Sequence, residues 1–303
     1  MRCKWLGIGR DDEVIVPDLT FIATANAVRL AGADVKLVDI EPDRFTLDVN
    51  KVLKAITPKT RAIMPVDVNG RGADYEALRQ ICDTYNLHLV CDAAEALGSK
   101  WEGRFLGNFG DAACFSFSPN KTLTTGQGGM IATNNTELYH RLKELKDQGR
   151  RNTGTGGDDL HPVLGFNFKF TNLQAAVGMA QFDRLEGRLE HAGLRDQWYA
   201  HALAKTPHIQ VPPLPLNGEV RQWTDVLCDK RHLLKTALDA ANISTRCFWF
   251  PLHRQQPYLQ KDADFPNAIA VSDRGLWLPS CFDITEAQVH FISGIIHEVA
   301  SSW

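Results

Sequence analysis

Glu13 to Ile40 read EVIVPDLTFIATANAVRLAGADVKLVDI, and this stretch decides the fold class. Glu13 to Pro17 is a short, almost wholly apolar run, the signature of a strand buried on both faces. Thr20 to Leu30 spaces its apolar residues as a helix, Ala31-Gly32 ends it, and Val35 to Val38 is strand again. The alternation continues downstream. Asp48 caps a helix to about Ile56, Arg61 to Val66 is a strand, Asp74 caps a helix to about Tyr85, and Leu87 to Cys91 is a strand. Strands alternating with helices imply an α/β fold, a mainly parallel sheet with helices on both faces.

From Ala112 the pattern changes to two apolar runs, Ala112 to Phe117 and Met130 to Thr133, around a polar, glycine-bearing segment. Asn135 caps a helix to about Gln148, and Gly149 to Asp159 (GRRNTGTGGDD) reads as a loop. Thr171 to about Ala204 is helical, with breaks expected at Gly178, Gly187 and Gly193. Pro207 and Pro212-Pro213-Leu214-Pro215 mark a boundary, beyond which Lys230 to Ala241 and a segment from Thr285 are helices. A chain of 303 residues exceeds what one core usually supports. The expected division is a large domain over 1–206 and a small α+β domain over 207–303.

Hydrophobic residues make up 44% and charged residues 23%, as in ordinary soluble proteins. The net charge of -3 offers no general field for nucleic acid or an anionic membrane. No stretch of about 18 apolar residues is available to span a bilayer. Trp5 to Gly9 is followed at once by Arg10-Asp11-Asp12-Glu13, so no signal-peptide core is expected. The seven cysteines are scattered without C-x-x-C spacing, which fits reduced thiols and a cytoplasmic location.

Two residues stand out chemically. Asp92 follows the Leu87 to Cys91 strand, at the edge where open parallel sheets bind ligands. Lys121 lies in Ser116-Phe117-Ser118-Pro119-Asn120-Lys121-Thr122-Leu123-Thr124-Thr125-Gly126-Gln127-Gly128-Gly129, among hydroxyls and glycines. A pyridine-ring cofactor acting as an electron sink needs a lysine for its aldehyde, a carboxylate for its ring nitrogen and donors for its phosphate. Taken alone, Asp92 more often reads as a helix cap or a strand-end carboxylate and Lys121 as a solvated surface lysine, which leaves such an enzyme one option among several.

The motif Ser-Phe-x-x-x-Lys-x-Leu-Thr-Thr-Gly-x-Gly-Gly at Ser116 to Gly129 resembles the cofactor-lysine motif of the DegT/StrS-type sugar aminotransferases, which have the fold-type I aspartate aminotransferase architecture. Glu13 to Val28, Ala55 to Pro65, Asp92 to Ala96, Gly165 to Gly178, Phe250 to Tyr258 and Leu276 to Ser280 resemble the same family in the same order. The resemblance implies that Lys121 holds pyridoxal 5'-phosphate (PLP) as a Schiff base and later shuttles a proton, with Asp92 as partner of the ring nitrogen. It places Phe21 against the cofactor ring and Ser116 at its phosphate. Asn167 would reach that phosphate across a homodimer interface, and His253 would lie near the sugar. Arg150, Arg151 and Arg254 are candidates for a nucleotide diphosphate, each with a solvated-surface reading beside it.

Departures from the family pattern carry information as well. Glu95 stands where many relatives have glutamine beside the cofactor's phenolic oxygen, and an ionised carboxylate there would repel a phenolate. Perosamine-synthase-like members are similar in having glutamate, which points to a 4-keto-6-deoxy sugar. Asp67-Val68-Asn69-Gly70 replaces the more usual His-x-Tyr-Gly. The expected activity is amino transfer, with glutamate as donor and a nucleotide-linked keto-sugar as acceptor. A PLP-dependent sugar dehydratase of the same family is opposed by Lys121, because those relatives carry histidine there. A nicotinamide-binding fold is opposed by Gly7-Ile8-Gly9-Arg10-Asp11-Asp12, which lacks the third glycine and precedes its strand. A catalytically silent binding protein with this fold is the remaining alternative. Met1 to Gly9 resembles only the tail of a helix that carries a phosphate-binding turn in relatives, so the chain is expected to be incomplete at its start.

Overall fold

The computed structural model describes residues 6–151, 159–215 and 218–303. The main sheet contains β1 (Glu13–Pro17), β2 (Asp34–Val38), β3 (Thr60–Ile63) and β4 (His88–Asp92). After a short hairpin of β5 (Lys100–Trp101) and β6 (Arg104–Phe105), β7 (Ala112–Ser116) and β8 (Gly129–Ala132) complete it. The order is β2-β1-β3-β4-β7-β8, parallel throughout except for the antiparallel β7–β8 pair. Helices α1 (Ala23–Ala31), α2 (Val49–Ala55) and α3 (Tyr75–Tyr85) make the crossovers, and α4 (Thr136–Lys146) follows β8. The expected caps are in place: the side chains of Asp48, Asp74 and Asn135 accept backbone N–H groups in their first turns.

Side chains of β1 alternate between two cores. Val14 and Val16 join Val28, Ala62 and Val90 on one face, while Ile15 joins Ile63, Leu78 and Leu89 on the other. This two-sided burial is why the strands read as continuous apolar runs. Strand β3 stops at Ile63 rather than running to Val66, because Pro65 has no N–H to give the ladder. The extended chain meets the sheet once more, at the Val66–Asp92 bridge.

Helices α5 (Asn172–Phe182) and α6 (Leu185–Leu203) break at Asp183-Arg184, not at the three glycines, which all lie within helix. Gly187 and Gly193 face open space and Gly178 meets only a methyl of Thr125, so none of them forces a bend. A second, antiparallel sheet has the order β11 (Arg246–Cys247), β12 (Gly275–Leu278), β10 (Thr224–Cys228), β9 (Ile209–Gln210). It is accompanied by α7 (Arg231–Ala240), α8 (Pro266–Arg274) and α9 (Glu286–Ser301). Thr285 and Gln288 form a reciprocal capping box on α9. Tyr199, Leu203, Val226, Leu276 and Ile292 pack the core under α6 and α9. Phe248, Trp249 and Trp277 instead belong to the same core cluster as Val14, so the second sheet leans on the first.

Among the described residues the six cysteines, from Cys82 to Cys281, are free thiols. Cys3, the start of the expected helix tail, and 152–158 of the expected loop lie outside the described residues.

Gly70 marks the closest approach of the two parts. Its φ is +81°, and an added Cβ would stand 1.9 Å from the carbonyl oxygen of Val220. Gly103 has a similar φ of +76° but faces open space. Gly70→Ala is expected to destabilise the chain by about 3 kcal/mol or more, and Gly103→Ala by about 1 kcal/mol. Urea denaturation of both variants measures this, and equal losses would show that Gly70 matters for its φ alone.

Candidate active site

Asp92 ends β4 and its side chain is buried. Thr24 Oγ1 donates to its Oδ2 at 2.8 Å and the Ala94 N–H to its Oδ1 at 3.3 Å. Thr24 belongs to the first turn of α1 and donates its N–H to the carbonyl of Phe21 at 3.2 Å. The Phe21 ring is 52% exposed, which leaves a flat apolar surface close to the buried carboxylate.

Lys121 lies in the loop between β7 and β8. Phe117 organises that loop: its N–H donates to Gly128 O at 3.0 Å, and its carbonyl accepts from Thr125 N–H at 3.0 Å and Thr124 Oγ1 at 3.2 Å. Lys121 Nζ stands 3.1 Å from Glu95 Oε1 and 5.1 Å from the centre of the Trp223 ring. The other oxygen of Glu95 accepts the Asn69 N–H at 3.1 Å. Burial pushes the Glu95 carboxyl above its ordinary range, opposed by the charge of Lys121 and the Asn69 N–H. Ser116 Oγ and Ser118 Oγ are 3.2 Å apart at the start of the loop, both half-buried.

This donor set fits PLP. Lys121 could supply the amine for an aldehyde, Asp92 a fixed carboxylate for a ring nitrogen, Ser116 and Ser118 hydroxyls for a phosphate, and Phe21 an apolar face. A cleft of about 430 Å³ adjoins Lys121, lined among others by Trp223, Arg246, Trp277 and Ser280. It lies between the loop of Lys121 and the second sheet, a usual kind of place for a ligand.

Comparison with known proteins agrees with this geometry. The model of the DegT/DnrJ/EryC1/StrS aminotransferase family matches residues 1–297. The chain belongs to this family. It is a PLP-dependent aminotransferase. GDP-perosamine synthase of Caulobacter vibrioides is 37% identical over 305 residues, covering 97% of this chain and 81% of the relative. The S. venezuelae protein DesV, solved in complex with a ketimine intermediate, superposes with a TM-score of 0.93 at 34% identity, covering 99% of this chain and 81% of that one. The PLP form of the sugar aminotransferase Spr1654 from Streptococcus pneumoniae superposes at 0.91 with 25% identity, covering 99% and 83%.

Not every expected residue of the aminotransferase joins the cluster. Asn167 is exposed and paired with Asp147 through a single bridge, on a segment stapled to the end of α4. Among the described residues no hydrogen bond ties its side chain to the Lys121 group. His253 is fully buried: Nδ1 is 2.6 Å from Asp18, Nε2 is 3.2 Å from Asp262, and the ring stacks on Phe265. With both nitrogens engaged and no exposed surface, it braces the fold. Arg254 pairs with Asp262 at 2.6 Å, Arg150 with Asp159 at 3.1 Å and Arg151 with Glu144 at 3.2 Å. Sequence reasoning missed Thr24 and Trp223, neither of which sits in a local pattern that announces a partner so far along the chain.

Asp67 is also part of this buried region. Tyr75 OH donates to its Oδ1 at 2.6 Å, while Oδ2 has no hydrogen-bond partner. Burial pushes its carboxyl up to about 8 from 3.8. Because the folded state holds this proton more tightly than the unfolded one, Asp67 must erode stability as pH rises from about 4 to about 8. Asp67→Asn removes that slope and keeps an acceptor for Tyr75. Urea denaturation should therefore show the variant gaining on the parent between pH 5 and pH 8. A constant difference across that range would mean that Asp67 does not bind this proton.

Proposed function

We propose that this aminotransferase moves an amino group from glutamate to a keto-sugar carried on a nucleotide, working as a homodimer with shared sites. The observation that carries the reading is the placing of Lys121 Nζ, 3.1 Å from Glu95 and at the edge of the 430 Å³ cleft. The names of the relatives support the acceptor class, since the Caulobacter vibrioides and Escherichia coli O157:H7 relatives are both GDP-perosamine synthases. Glu95, shared in kind with perosamine-synthase-like members, supports a 4-keto-6-deoxy sugar.

When bound, PLP supplies an electron sink for charge developing at the substrate carbon. The protein's own tasks follow from the geometry. Lys121 is the only amine set against the cleft among the residues described above, and it carries the proton to and from the substrate carbon. Asp92, held on both oxygens by Thr24 and Ala94, is fixed to keep a ring nitrogen protonated. Glu95, with its raised proton affinity, is suited to hold a proton beside Lys121.

Helix α5 supports the dimer. None of its residues is buried, yet Leu173, Met179 and Phe182 are 78%, 65% and 60% exposed. Leu164, Phe168 and Met130 are exposed as well, and a second copy of the chain would cover such apolar residues. Asn167 is exposed and adjacent in the chain to the exposed Phe168, so on this reading association would bring it toward another site.

Lys121→Ala is expected to leave no cofactor that borohydride can trap and to lower turnover by about 10³-fold or more. Asp92→Asn should retain bound cofactor and lose roughly 10- to 100-fold in rate, the scale of one charge-assisted hydrogen bond. Ordinary turnover in Lys121→Ala, measured as amine transfer to a nucleotide-linked keto-sugar, would end this reading. The dimer has its own test. Leu173→Glu combined with Met179→Glu should give monomers by light scattering, and mixed Lys121→Ala and Asn167→Ala chains should regain activity. A fully active monomer would contradict the shared site.

A further inference from the structure

Asn69 stands in the segment where this chain departs from its family's usual pattern, and the geometry gives it work. We propose that Asn69 is a positioning residue: it sets Glu95 and Trp223 around Lys121 so that the lysine can capture the cofactor. The inference rests on the reading of Lys121 as the PLP-bearing lysine.

Asn69 is 1% exposed and left-handed, with φ 50° and ψ 41°. Its side-chain amide pairs both ways with the backbone of Trp223: Nδ2 donates to the carbonyl at 2.7 Å, and Oδ1 accepts the N–H at 2.8 Å. Nδ2 also donates to Asp225 Oδ1 at 2.6 Å. These bonds use three of the four positions an amide offers, so the side chain has one orientation. They fix the Trp223 peptide, and with it the indole that lies 5.1 Å from Lys121 Nζ. The backbone N–H of Asn69 meanwhile holds Glu95 Oε2 at 3.1 Å, leaving Oε1 for Lys121. Two walls around the lysine therefore hang on one residue, and one of them belongs to the second sheet.

The charged groups facing Glu95 are Lys121, from the β7–β8 loop, and Asp92, at the end of β4. Asn69 adds no charge, and its side-chain bonds to Trp223 and Asp225 anchor the left-handed backbone whose N–H meets Glu95, so losing the amide frees the Trp223 peptide and loosens the aim of that N–H without changing the local field. Asn69→Gly is the informative variant, because glycine adopts the left-handed conformation without strain and only the amide is lost.

The measurement is covalent attachment of PLP to the cofactor-stripped full chain, followed across pH, trapped with borohydride and located by peptide mapping. Asn69→Gly should slow attachment at Lys121 about ten-fold and move its pH profile toward that of Glu95→Gln. Adding Glu95→Gln to Asn69→Gly should then cost less than Glu95→Gln costs in the parent, because part of the Asn69→Gly loss runs through Glu95. Losses that multiply, or a parental rate and profile in Asn69→Gly, would overturn the proposal. If Asn69→Gly loses its folded circular-dichroism spectrum, Asn69→Asp, which keeps the acceptor for the Trp223 N–H, is judged on the same outcomes. Attachment at a lysine other than Lys121 in the parent chain would overturn the underlying reading of the site. Attachment at Lys121 with an unaffected Asn69→Gly would overturn this proposal alone.

Discussion

The carboxylate of Asp225 is the interaction on which the rest of the arrangement depends. It sits in β10 with no exposure to solvent and receives donors from both parts of the chain. Asn69 and Arg71 reach it from the segment after β3, and Trp277 Nε1 donates at 2.9 Å from β12. A buried carboxylate is tolerable only when its oxygens are satisfied, and removing one partner of such a pair typically costs about 3–5 kcal/mol. The relative placing of the two sheets is therefore set by polar geometry at one point as well as by apolar contact around it. The close approach of Gly70 to Val220 follows, since the chain on either side of Asp225 is drawn against the main sheet.

That docking matters because the parallel sheet alone makes half a site. The end of β4 presents Asp92, and the following turn brings Glu95 to Lys121. Nothing in the main sheet closes the far side of the lysine. The segment leading into β10 does so, with Trp223 against Nζ and Gln222 donating to the Asn120 carbonyl at 3.0 Å. The second sheet thus reaches the backbone of the very loop that carries Lys121.

The main sheet was legible in the sequence because its strands are buried on both faces and its helices announce themselves with Asp48, Asp74 and Asn135. The second sheet was not. β10 reads Thr-Asp-Val-Leu-Cys, and a charged residue inside a short strand conceals it until its partners are known. β9 and β11 are two residues each, too short for any periodicity. The same holds for the site. Asp92 and Lys121 stand out in the sequence because position and a local motif mark them, whereas Thr24, Asn69 and Trp223 make contacts 68, 26 and 154 positions distant in the chain. His253 shows the converse. A motif gives the address of a residue, and only burial between Asp18 and Asp262 shows which way it faces.

The electrostatic balance of the site completes the argument. Asp67, Asp92 and Glu95 are all buried, and of the side chains described around them only Lys121 brings a cation within hydrogen-bond reach, at Glu95. Three ionised carboxylates could not share so small a dry volume with one ammonium. The molecule resolves this by graded proton affinity: Asp67 is pushed up to about 8, with one oxygen lacking a partner, and Glu95 is also raised. A neutral acid tolerates an unpartnered oxygen far better than an anion does, so the orphaned oxygen and the raised affinity of Asp67 explain each other. Asp92 accepts from Thr24 on one oxygen and from the Ala94 N–H on the other, which fixes the orientation of its carboxylate. On the proposed reading of the site, a ligand with a protonated ring nitrogen would bring positive charge to this group of buried carboxyls.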